Sequence, residues 1–234
     1  MTSELSKFDA TRAAEYAVQS RIALAGYDAC HELAACLLSA SLGHGSAASI
    51  LVIGAGGSGL EVLATGRLER NWHFTAVDPS PPMLGLAEEA VRAAGLSATT
   101  SFLLGTVQDV PTDAPFDAAT LIGVLHHLQG RAAKRAILAA IAERLKRSAP
   151  FVLAGNRGAY AGNARFLSAW RTRWRMAGAT DEEIEAKIGK ILQGADPPDC
   201  DRDVETMLAE AGFCAPELFF SSLFWGGWIA TRRP

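Results

Sequence analysis

The sequence predicts an α/β protein: a doubly wound, mostly parallel seven-stranded sheet with a C-terminal antiparallel hairpin, N-terminal helices and a helical insertion after the fifth strand. Three observations predict it. First, Ile50 to Leu63 reads ILVIGAGGSGLEVL, an uncharged apolar run entering glycines spaced G-x-G-x-x-G, with helical spacing after them. That is a buried strand turning into a helix. Second, five short apolar runs up to residue 154 are interleaved with helical segments, as in strands joined by right-handed crossovers. Third, two strand-like runs follow the last helix with only a short break, which makes them an antiparallel pair.

Composition narrows the class. With 234 residues, 49% hydrophobic and 20% charged, the chain can bury one large core, so one domain with additions is expected. A net charge of −3 offers no basic footprint for nucleic acid. The four cysteines, Cys30, Cys36, Cys200 and Cys214, lack metal-ligand spacing, and the first two sit in helical apolar patterns. No metal is expected, and reduced structural thiols of a cytoplasmic protein are the better reading. No apolar run approaches ~18 residues, so neither a signal peptide nor a membrane span is expected.

Residues 1–45 read as a helical prelude, a lid or packing element. Asp9 can cap a segment with Ala13, Ala14, Ala17 and Val18 on one face. Gly26 breaks it, and Tyr27 to Ser41 forms a second amphipathic helix with Leu33, Leu37 and Leu38 inside. Ser41 to Ser49 is a loop on composition. The core, residues 46–155, holds strands at Ile50 to Ile53, Trp72 to Val77, Thr100 to Leu104, Phe116 to Ile122 and Pro150 to Ala154. Its helices run Leu60 to Leu68, Pro82 to Ala94 and Arg131 to Arg147. The insertion, 156–200, places Arg165, Trp170, Arg171, Arg173, Trp174 and Arg175 on one helix. Those arginines can grip an anion, stack across a dimer interface, or snorkel toward the acidic helix beginning at Asp181. Residues 201–234 supply a helix from Asp201 to Ala211 and hairpin strands at Pro216 to Ser221 and Leu223 to Thr231.

In such a sheet ligands bind beyond the carboxyl ends of the strands, at the switch in strand order. Four loops converge there: Gly54–Gly59, Asp78–Ser80, Gly105–Asp109 and Gly123–Leu128. The glycine turn offers backbone N–H groups and a helix N-terminus to a ligand. Asp78 follows Gly59 by 19 residues, where a carboxylate accepts hydrogen bonds from two ribose hydroxyls; it also suits the N-cap of the next helix. Turn and carboxylate together indicate a nucleoside-binding site.

With the glycine turn, VDPSPPML (Val77 to Leu84), VLHHL (Val124 to Leu128) and the terminal hairpin, the chain resembles the class I S-adenosylmethionine (SAM)-dependent methyltransferases, which have a Rossmann-like fold. More narrowly, FDATRAAEY, AGYDA, AVDPSPPM and the tail DVETMLAEAGFCAPELFFSSLFWGGWIA are similar to bacterial carboxy-S-adenosylmethionine synthases, enzymes of tRNA wobble modification. The resemblance implies S-adenosyl-L-methionine as cofactor and S-adenosyl-L-homocysteine (SAH) as product. It assigns Tyr27 to the methionine end, Gly54, Ala55, Gly56 and Gly59 to the glycine loop, and Asp78 with Pro79 to the ribose. Thr106 and Val107 flank the adenine, and Ile122 aligns with an asparagine of those synthases. Their carboxylate-binding arginine aligns with Ile188, which cannot donate to a carboxylate, so methyl transfer to a small molecule is favoured over carboxymethyl chemistry.

Methyl transfer asks the protein to position a nucleophile in line with the methyl group and to exclude water, with a base only where the acceptor must lose a proton. His126 and His127 stand where that base acts, one expected to face the site while the other packs. Tyr16, Arg21, Tyr160, Arg165 and Trp225 are expected to line the acceptor pocket. A protein that keeps the fold without methylating is the alternative, and a dinucleotide-dependent oxidoreductase is weakened by the absence of a second substrate domain. The prelude and the Arg/Trp helix are compatible with a homodimer.

Overall fold

The apolar run before the glycines becomes the centre of a seven-stranded sheet in the computed structural model, which describes residues 18–234. The strands are β1 (Ala48–Ile53), β2 (Trp72–Asp78), β3 (Thr100–Leu104), β4 (Ala118–Ile122), β5 (Pro150–Asn156), β6 (Phe213–Ser222) and β7 (Trp225–Arg232). Their order is β3-β2-β1-β4-β5-β7-β6. The first five are parallel; β7 runs antiparallel between β5 and β6. Order therefore reverses between β1 and β4, and the crevice expected at a switch point opens above Ile53 and Ile122.

The helices are α1 (Tyr27–Leu42), α2 (Leu60–Leu68), α3 (Pro81–Ala93), α4 (Gly130–Glu143), α5 (Ala164–Met176), α6 (Asp181–Gly194) and α7 (Asp201–Glu210), and residues 18–23 are also helical. Alternate residues of β1 serve opposite faces even though the run is continuously apolar. Leu51 and Ile53 join Leu138 and Ile141 of α4 and Met207 of α7 in one core. Ile50 and Val52 join Leu38 of α1, Val62 of α2 and Val91 of α3 in the other. A third cluster, built from Tyr160, Trp170, Trp174, Ile184, Ile188 and Phe224, packs α5 and α6 together and reaches Ile22 and Ala23.

Local differences from the expected boundaries have physical causes. Helix α4 stops at Glu143 rather than Arg147 because the next residues take other partners. Arg144 turns inward and its guanidinium donates to the carbonyls of Val110, Ala140 and Gln108. Phe116 pairs with this segment as an isolated bridge to Leu145, so β4 begins only at Ala118. In α1 the buried stripe runs through Tyr27, Cys30, His31, Ala34, Ala35 and Leu38, leaving Leu33 44% exposed against the expectation that it faces inward. The helix also extends to Leu42, and β1 begins at Ala48, so the loop between is shorter than composition indicates. The segment capped at Asp9, with Ala13, Ala14 and Ala17, lies outside the described residues; Val18, its last apolar position, is 64% exposed. No described helix is long and apolar enough to cross a membrane.

Candidate functional site

The glycine loop leaves β1 with Gly54 at φ 71°, a left-handed conformation that disfavours any side chain. A Cβ there would fall 2.2 Å from Cγ2 of Val124, so the exit loops of β1 and β4 touch only because residue 54 is glycine. At Gly56 the obstacle is steric alone: a Cβ would lie 2.5 Å from Cβ of Met83 and 2.6 Å from Oδ2 of Asp78. That carboxylate accepts from the Gly56 N–H (3.0 Å) through Oδ2 and from the Ser80 N–H (2.8 Å) through Oδ1. Asp78 thus ties the loop to the end of β2, and each oxygen keeps a lone pair for a further donor. Burial pushes its carboxyl pKa up, and the two amides oppose that shift.

Tyr27, Ser58, His31 and Glu61 brace this loop from α1. The Tyr27 hydroxyl lies 3.1 Å from Oγ of Ser58, and Nδ1 of His31 donates to the Tyr27 carbonyl (2.8 Å). The other ring nitrogen stands 3.7 Å from Oε2 of Glu61, in the first turn of α2. Glu61 is 8% exposed, and burial raises its carboxyl pKa against the pull of His31. Sequence reasoning missed both residues; the available signal was an acidic residue two positions past the last glycine of the motif, which helix propensity alone already explains.

Thr106 and Val107 begin the loop after β3. The Thr106 hydroxyl donates to Oδ2 of Asp109 (2.8 Å) and caps a single 3-10 turn, while Val107 is buried in the α4-side core. The Gly105 N–H bonds the Asp78 carbonyl, bringing this loop beside the ribose candidate. Pro79 and Ala55 belong to the same rim, and Ile122 is buried at the end of β4.

Beyond β4, Leu125–His127 forms one 3-10 turn that separates two adjacent histidines chemically. His126 is 4% exposed. Its Nδ1 accepts from the backbone N–H of Asn156 (3.3 Å), which places the proton of the neutral ring on Nε2. Burial, His127 and Lys134 together hold its pKa well below 6.5. With one lone pair engaged and the other nitrogen protonated, His126 is a hydrogen-bond donor rather than a base. His127 is half-buried, its ring 4.3 Å from that of His126.

Both histidines line a cavity of about 690 Å³ together with Tyr27, Asn156, Trp174 and Trp225. Of the residues expected around an acceptor, Trp225 is there. Tyr160 stands behind the wall, 6% exposed, its hydroxyl accepting from Nδ2 of Asn156 (2.8 Å) and its ring edge-on to Phe224. Arg165 is exposed and not on the cavity wall, and Arg21 instead pairs with Asp28 at 2.7 Å. Tyr16 lies outside the described residues. The arginines of α5 follow the snorkelling reading: Arg171 meets Glu185 and Arg175 meets Asp181, each at 2.7 Å, while Trp170 and Trp174 are buried. A second cavity of about 500 Å³, around Lys146, Asp117 and Ser148, lies at the other end of the strands, far from the glycine loop.

Comparison with known proteins agrees with this geometry. The methyltransferase-domain family matches residues 50–148. No curated protein matches the chain in sequence. Among solved structures, human N-acetylserotonin methyltransferase in complex with SAM superposes with a TM-score of 0.68 at 13% identity, over 100% of this chain and 60% of that one. A candidate O-methyltransferase from Nostoc punctiforme gives a TM-score of 0.68 at 17% identity, over 95% of this chain and 60% of that one. The [4+2]-cyclase SpnF gives 0.61 at 14% identity, over 86% of this chain and 80% of that one. The chain thus spans about 60% of the length of the first two, and at these identities the likeness is one of fold. The family match runs from β1 to α4 and takes in the glycine loop and Asp78, so residues 50–148 are similar to a methyltransferase domain.

Proposed function

We propose that the protein transfers a methyl group from SAM to a small-molecule acceptor seated beside His127. The observation that carries this reading is Tyr27, which lines the 690 Å³ cavity and at the same time bonds Ser58 of the glycine loop. Cofactor loop and cavity therefore share a wall. Gly54 to Gly59 and the N-terminus of α2 would face the methionine end, Asp78 and Pro79 the ribose, and Thr106 and Val107 the adenine, over an apolar floor at Ile122.

Bound SAM supplies an electrophilic methyl group on a sulfonium. For a hydroxyl acceptor, His127 would take the proton that the hydroxyl releases as it is methylated. His126 donates from Nε2 and keeps one tautomer at the site, held by Asn156. Ile188, buried at 1% exposure in the third cluster, offers no partner for a carboxymethyl group, which supports methyl over carboxymethyl transfer.

The test is calorimetric titration with SAH, followed by assay of SAH release from SAM with candidate acceptors. Micromolar SAH binding that falls about tenfold or more in Asp78→Asn is the expected result. Wild-type protein that binds neither SAM nor SAH would overturn the proposal.

A further inference from the structure

Six buried side-chain polar atoms lack a hydrogen-bond partner among the described residues, and three of them belong to residues lining the cavity: Nε1 of Trp174, Nε1 of Trp225 and Oδ1 of Asn156. These residues are 3%, 9% and 7% exposed. Buried donors and acceptors are almost always satisfied in folded proteins, so unmet ones in the residues around an open volume set this lining apart from an ordinary apolar core.

The charges around the same volume decide the sign of that ligand. Lys187 and Lys190, one turn apart on α6, both line it, together with His126 and His127. No aspartate or glutamate lines it among the described residues. Asp196, the nearest acid in sequence, is already engaged by Nζ of Lys134 (2.6 Å) and the Gly130 N–H (2.7 Å). Lys187 lies 4.8 Å from the ring centre of Trp174, so a cation and an indole with an unpartnered N–H stand side by side. Trp170, Trp174 and Trp225 add aromatic surface to the same lining.

We propose that the acceptor is a planar, aromatic carboxylic acid. Its carboxylate pairs with Lys187 and Lys190 of α6, and its ring packs on the tryptophans. The group to be methylated then faces His127. This rests on the methyl-transfer reading for the role of the ligand, but acid recognition itself follows from the cavity.

The experiment uses quenching of tryptophan emission on the full chain, with and without saturating SAH. The probes are para-hydroxycinnamate, indole-3-acetate and benzoate, each against its primary amide. At least one acid is expected to bind about tenfold tighter than its amide, the scale of one charge-assisted hydrogen bond. In K190Q and K187Q that preference falls toward unity while SAH affinity stays as in the wild type. Lys190 is exposed, so K190Q tests the charge without disturbing packing. Amides that bind as well as the acids, a preference that survives both substitutions, or no binding by any acid would each overturn the proposal. Failure to bind SAH would sink the methyl-transfer reading alone, since the acid preference is still read on the unloaded protein.

Discussion

At the level of single residues, what a side chain can do depends on which of its atoms are already engaged. The backbone N–H of Asn156 occupies Nδ1 of His126, and burial disfavours the second proton, so in the proposed mechanism the base is His127. For a hydroxyl acceptor, His127→Asn should lower kcat on the order of 10²-fold with the KM for SAM little changed, as initial rates of SAH formation would show. His126 also makes stability depend on pH. It stays neutral in the folded protein well below 6.5, whereas in the unfolded chain it takes up a proton near 6.5. Below that pH the unfolded state binds more protons, and stability falls by about 1.4 kcal/mol per pH unit until the folded group titrates. Urea midpoints at pH 7 and 5.5 should show this slope, and His126→Gln should flatten it. Asp78 was legible as a carboxylate at the right distance from the glycines. Its two amide bonds were not, and they alter how the residue is tested. Asp78→Ala leaves both N–H groups without their acceptor and should cost about 1–3 kcal/mol besides losing the cofactor. Asp78→Asn keeps an acceptor oxygen, so melting temperature and SAH affinity measured together separate the two effects.

At the level of elements, the strand–turn–helix unit is the part most fully written in local sequence. Apolar run, glycine spacing and helical period coincide with β1, the loop and α2, whose bounds agree with the reading to the residue at Leu60–Leu68. What local pattern did not reveal is that Gly54 is required twice over, by its φ of 71° and by Val124, a residue of another loop. Gly54→Ala should therefore destabilise by about 2 kcal/mol or more and abolish SAH binding. Adding Val124→Ala should recover the steric part and leave the conformational part, as denaturant midpoints of the two variants would resolve. Element ends were less legible. Periodicity extends α4 through Arg147, but the helix yields at Arg144 because the carbonyls of Gln108 and Val110 and the bridge to Phe116 compete for that segment. In α1, leucine spacing pointed to Leu33, while alanines, Cys30 and His31 make the buried face. Small residues are what allow α1 to lie close on α2 and the sheet.

Across the whole molecule, the switch between β1 and β4 brings loops from the first and second halves of the chain to one crevice. Helices α5 and α6 cover one side of it, fastened by the Trp170 N–H to the Ala23 carbonyl (2.6 Å) and by Arg173 to the carbonyls of Ile22 (2.9 Å) and Arg21 (2.9 Å). A ligand that binds only this assembled state stabilises it by mass action. SAH at about 100 times its Kd should add about 2.7 kcal/mol, a rise of roughly 5–10 °C in Tm for a chain of this size. A thermal scan with and without ligand checks this.

The sequence by itself determined the order of strands and helices, the glycine loop, the carboxylate at the end of β2 and the pair of histidines after β4. Each of these is carried by residues within a few positions of one another, where backbone sterics and hydrophobic period act directly. Only the tertiary structure decided that Asn156 engages Nδ1 of His126, that Arg21, Tyr160 and Arg165 stand off the cavity wall, and that two lysines of α6 stand on it. Those outcomes depend on contacts such as His126 with Asn156 and Arg173 with Ile22, between residues 30 and 151 positions apart. No local periodicity encodes such contacts; they follow from the order in which the strands pair and from what the helices must cover.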